Sequence, residues 1–102
     1  MNVTQREETI LKNVEEILIK RLDPGKIILF GSRARKKNDN NADFDLAIDK
    51  TRIDIRLHRK IKEEIDSVCG LYKIDIVFLS SVDRSFKELV LKTGKVIYER
   101  IS

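Results

Sequence analysis

Apolar residues at Ile10, Leu11, Val14, Ile17 and Leu18 recur at the spacing of a helix with one buried stripe. Thr4 and Glu7 form a capping-box pair that opens it, and Asp23-Pro24-Gly25 is a turn sequence that ends it near Leu22. Lys26 to Phe30 is apolar on both faces, the pattern of a central strand. Ser32 to Lys37 predicts a short helical turn, and Asn38-Asp39-Asn40-Asn41 a loop. From Asp43 to Asp49 the pattern switches to strict alternation, with Phe44, Leu46 and Ile48 on one face and Asp43 and Asp45 on the other. Ile53, Leu57, Ile61, Ile65 and Val68 return to helical spacing, with Gly70 placed as a C-terminal cap. Lys73 to Leu79 is a third strand, carrying Ile74, Ile76 and Phe78 on one face and Asp75, Val77 and Leu79 on the other. Ser81 or Asp83 caps a last helix with the stripe Phe86, Leu89 and Val90, which Gly94 ends. Val96 to Tyr98 reads as an edge strand or a tail facing a partner.

This alternation of helices and strands predicts an α/β (α+β) fold: a small mixed sheet with helices packed mainly on one face. With 102 residues, the chain has room for a single domain over 1–102 and no second core. No apolar run approaches a membrane span and residues 1–6 lack a signal-peptide core, so a cytoplasmic location without membrane contact is the expectation. Cys69 is the sole cysteine, which excludes an intrachain disulfide and a cysteine-based zinc site. Near a helix end it reads as a small buried residue. The net charge of +4 favours polyanionic company, whether nucleotide, RNA or an acidic protein surface, and does not choose among them.

The chemistry concentrates where the first strand ends. After Phe30 the chain reaches Gly31, a residue that tolerates a tight turn and a close approach, followed by the hydroxyl of Ser32. Backbone N–H groups after such a turn, at a helix start, cradle phosphate oxygens. Arg33 and Arg35 bring positive charge beside that cradle, where for at least one of the two contact with a triphosphate or an acceptor outweighs the alternative of a solvated basic turn. Asp43 and Asp45 are two residues apart, about 6.6 Å at normal strand rise, and converge on the same cations. Carboxylates beside bound phosphate suit Mg²⁺. Asp75 is an acidic exception in an otherwise apolar strand, costly if buried alone. Beside the second strand it would serve as a general base or a further metal ligand; the bland alternative is an ion pair with Arg33 or Lys73. Asp49 lies too far along its strand to join the pair and reads as a strand end or a cap on the next element.

These residues carry a family resemblance. Gly31-Ser32, ten intervening residues and then Asp43-Phe44-Asp45 resemble the signature of the DNA polymerase beta-like nucleotidyltransferase superfamily. More narrowly, Gly31-Ser32-Arg33-Ala34-Arg35 is similar to the minimal nucleotidyltransferases (MNT) that accompany HEPN-domain partners. Lys36 departs from the glycine usual after that run. The resemblance spans nearly the whole chain and implies three catalytic, metal-binding aspartates (Asp43, Asp45 and Asp75) with Gly31, Ser32, Arg33 and Arg35 binding the nucleotide. It implies two Mg²⁺ ions and ATP as substrate, with AMP moved to an acceptor and pyrophosphate released. The fold consumes nearly all the chain, so the acceptor must come from another protein or a second copy. The MNT resemblance implies a HEPN ribonuclease toxin, silenced by AMP on a tyrosine, with this chain as its antitoxin. Two other classes stand beside this one: an antitoxin subunit acting by binding alone, and a small-molecule (antibiotic-type) nucleotidyltransferase, which usually needs an added helical domain. Arg52 and His58 also match a loose HEPN ribonuclease pattern, but that family is all-helical and His58 reads as a surface residue here.

Overall fold

The computed structural model describes residues 5–30, 44–51 and 53–101. Within them the elements run α1 (Gln5–Leu22), β1 (Lys26–Phe30), β2 (Phe44–Ile48), α2 (Ile55–Val68), β3 (Ile74–Phe78), a 3-10 turn at Leu79–Ser81, α3 (Arg84–Thr93) and β4 (Lys95–Glu99). The predicted Thr4 cap and the Ser32–Lys37 turn lie outside the described residues.

The four strands form one mixed sheet in the order β3-β2-β1-β4. β1 pairs antiparallel with both neighbours, and β2 with β3 in parallel, joined by the α2 crossover. β1, apolar on both faces beyond Lys26, is therefore central, as its pattern predicts, and β2 is buried along its whole length.

Each strand's alternation divides its side chains between two cores. Ile27, Leu46, Ile48, Ile74 and Phe78 join the stripes of α1 and α2 on one face. Ile28, Phe30 and Ala47 join Leu79 and Val90 on the other, with Val77 and Phe86 at its margin. Among the described elements, two helices thus cover the first face and α3 covers part of the second. Of the stripe predicted for α3, Val90 is buried and Phe86 half-buried, but Leu89 is 38% exposed and takes no part in this core.

Local chemistry sets the element ends. Asp54 caps α2, its Oδ1 accepting from the N–H groups of Arg56 (2.6 Å) and Leu57 (3.2 Å). Asp83 caps α3 through the N–H of Phe86 at 2.8 Å, which resolves the choice between Ser81 and Asp83. Cys69 is buried at the end of α2, and Gly70 follows at φ +62°, the left-handed conformation a glycine favours. Gly94 also ends a helix, but for a different reason: at φ −80° it is jammed against β1, and a Cβ there would lie 2.5 Å from Ile28 Cγ2.

Arg21 of α1 and Glu64 of α2 clamp the two helices together, Nε to Oε1 at 2.8 Å and NH2 to Oε2 at 2.7 Å. The bidentate pair holds Glu64 below the usual carboxylate range, chiefly through the hydrogen bond from Arg21. The periodicity of α2 puts Glu64 on its solvated face, and a neighbouring helix recruits it instead.

Candidate active site

β1 delivers Phe30 to one end of the sheet, and β2 begins at that same end with Phe44 and Asp45. Phe30 and Asp45 are direct partners across the antiparallel pair. Asp45 is in turn the direct partner of Asp75 across the parallel pair. Residues in register across neighbouring strands project to the same side. A row Phe30–Asp45–Asp75 therefore crosses three strands on the face that α3 covers only in part.

The two carboxylates differ in exposure. Asp45 sits on an interior strand at 2% exposure, whereas Asp75 is half-buried on the edge strand β3. Burying a carboxylate is costly unless it is hydrogen-bonded, paired or engaged by a metal, so its place in the middle of the sheet calls for a role. Phe30 meets Phe86 of α3 edge-on, ring centres 5.6 Å apart at 81°. The contact seats α3 at the end of the carboxylate row. Phe30 was legible only as a core residue; its position immediately before Gly31 is the signal that it borders the site.

Of the residues that the sequence singles out, the structure brings Asp45 and Asp75 together on one face. Gly31, Ser32, Arg33, Arg35 and Asp43 lie outside the described residues, as does Lys36. Among the described residues no group of three or more His, Cys, Asp or Glu is placed to hold a metal ion. The donors present are nonetheless the hard oxygen ligands that Mg²⁺ takes, and two of them share one register position. His58 is not a plain surface residue. It is half-buried, its ring 6.0 Å from that of Phe78 on the opposite face of the sheet from the carboxylates.

The chain matches the family described as "Polymerase beta, Nucleotidyltransferase" over residues 12–102. A comparison with curated proteins found no match. Two solved structures share the fold. One is a crystal structure of a toxin–antitoxin with AMP-PNP, 21% identical, with TM-score 0.66, covering 87% of this chain and 73% of that one. The other is a crystal structure of a mutant of the toxin–antitoxin MntA-HpeT in which two aspartates two positions apart are changed to glutamate. It is 18% identical, with TM-score 0.65, covering 95% of this chain and 75% of that one.

Proposed function

From the premise that this chain belongs to the polymerase beta nucleotidyltransferase family, we propose that it is a Mg²⁺-dependent enzyme moving AMP from ATP to a hydroxyl of a partner protein. The partner is a HEPN ribonuclease toxin, and the chain is its antitoxin. The observation that carries this reading is the register of Asp45 against Asp75 on one face of the sheet. The fold shared with two toxin–antitoxin structures, one of them with AMP-PNP, supports the partner and the nucleotide. The MntA-HpeT mutant alters two aspartates with the same spacing as Asp43 and Asp45 here.

In this reading Asp43, Asp45 and Asp75 would hold Mg²⁺, which supplies neutralisation of triphosphate and pyrophosphate charge when bound. Gly31 and Ser32 would hold the β- and γ-phosphates by backbone N–H groups and a hydroxyl, with Arg33 and Arg35 supplying positive charge. Asp75, on the accessible edge strand, takes the proton of the acceptor hydroxyl. The acceptor oxygen attacks the α-phosphorus, a new P–O bond forms, the bond to the bridging oxygen breaks, and pyrophosphate leaves. Burial of Asp45 at the centre of the row keeps its carboxylate fixed, so positioning does most of the work.

The test is transfer from α-labelled ATP with Mg²⁺ to the protein encoded beside this chain, read by gel and intact mass. Label on that protein, absent with Asp45→Asn, is the expected result. A tight complex without label would leave an antitoxin that acts by binding alone.

A further inference from the structure

β3 is an edge strand, and its outer side pairs with no strand among the described residues. The N–H of Phe44 donates to the carbonyl of Lys73 at 3.1 Å, which fixes the phase of the strand. Main-chain groups of alternate residues point to opposite sides, so those of Lys73, Asp75 and Val77 address β2. Those of Ile74, Ile76 and Phe78 address the outer edge.

Beneath this edge, between β3 and α2, lies a cavity of about 120 Å³ floored by Leu18, Leu22 and Ile65. Ile76, half-buried, forms one wall, and His58 and Lys62 form the other. The volume is close to the roughly 150 Å³ cavity that admits a benzene ring, and well short of the roughly 300 Å³ at which small-molecule sites begin. It accommodates one apolar side chain rather than a nucleotide. Apart from Asp75, its ionisable lining is basic: His58, and Lys62, which reaches Asp66 at 4.0 Å.

We infer that the acceptor protein presents its hydroxyl on an extended segment that adds to the outer edge of β3. The inference rests on the reading of Asp75 as part of the transfer site. An added strand lies about 4.8 Å away, and its residue opposite Asp75 projects to the carboxylate face. Its two neighbours project to the opposite face, over the cavity. The pattern demanded of the segment is an apolar residue on one side of the hydroxyl residue, filling the cavity, and an acidic residue on the other, facing Lys62 and His58. Main-chain bonds to Ile74 and Ile76 give affinity and the cavity gives register, the physics of strand addition. One docking event thus places the acceptor hydroxyl beside Asp75.

The probe is the capped peptide Gly-Thr-Leu-Tyr-Glu-Thr-Gly, added at up to millimolar concentration to the full chain while amide hydrogen exchange is followed. The expected result is at least about tenfold slower exchange at Ile74, Ile76 and Phe78, with β4 unchanged and with no effect from the same peptide carrying Asp for Leu. Lys62 is 60% exposed, so Lys62→Glu leaves folding intact. It should abolish the protection, and a peptide with Lys for Glu should restore it. ATP binding and transfer to the peptide tyrosine are measured in parallel. Transfer without protection of β3 overturns this inference and leaves the nucleotidyltransferase reading standing; neither protection nor transfer, with ATP bound, overturns it as well. Protection without ATP binding overturns that reading and leaves the docking edge standing.

Discussion

Asp45 and Asp75, thirty positions apart in the chain, are direct partners across the parallel pair of β2 and β3 and project from the same face of the sheet. Two carboxylates so placed are the hard oxygen ligands that a divalent cation takes.

Mg²⁺ should therefore stabilise the folded chain. At a concentration one hundred times its dissociation constant, a ligand of the native state adds about 2.7 kcal/mol. Thermal unfolding with and without Mg²⁺ checks this, and the increment should vanish in Asp45→Asn and shrink in Asp75→Asn. In the transfer assay Asp75→Asn should lower the rate roughly a hundredfold or more, the scale of removing one preorganised charged group.

The cap on α3 bears on the same face. Asp83→Ala removes the acceptor of the Phe86 N–H and should cost about 0.5–2 kcal/mol. Because Phe86 seats the helix against Phe30, the loss should appear in denaturant unfolding and as faster exchange of the α3 amides.

Glu15 and Glu64 should give opposite pH dependences. Burial, opposed by Lys12, raises Glu15 above 4.5, so its ionised form weakens the fold. That penalty is present at neutral pH and disappears as pH falls through the raised value towards 4.5. Glu64 lies below 4.5 because Arg21 bonds it, so its contribution is present above 4.5 and is lost as pH falls further. Glu15→Gln should raise the unfolding midpoint at pH 7, and Glu64→Gln should lower it. The first difference should close above pH 4.5 and the second below it, as thermal scans across pH would read.

Of the described glycines without a positive φ, Gly25 and Gly94, the change Gly94→Ala should be the costlier. Its Cβ would meet Ile28 Cγ2 at 2.5 Å and the Val90 carbonyl at 2.6 Å, both in the packed interior. A loss of about 1–3 kcal/mol in denaturant unfolding is expected. Gly25→Ala, whose Cβ would meet only the end of the Asp49 side chain and its backbone carbonyl, at 3.1 Å and 3.7 Å, should cost much less.

The elements were legible in the chain because each carries its own period, and β1 announces its central place by being apolar on both faces. What periodicity does not carry is which element covers which. Leu89 follows the α3 stripe yet stays exposed, while Phe86 and Val90 make the contact with the sheet. Glu64 and His58 fall on faces that read as solvated, and partners remote in sequence, Arg21 and Phe78, draw them in. For the site, the aspartates were visible as acidic breaks in apolar strands. Their mutual register was not, since it depends on the α2 crossover rather than on any local pattern. The reading of Gly31, Ser32, Arg33, Arg35 and Asp43 rests on the sequence.

The parallel register of β2 and β3 has a consequence for how the chain avoids making a damaged version of itself. A slip of one residue in β3 would turn Asp75 under α2 and push Ile74 and Ile76 out of the core. The same error would destroy both the apolar packing and the carboxylate pair. A misaligned chain is thus at once unstable and inert, and proteolysis of unstable chains removes the inactive ones without any separate means of recognising them.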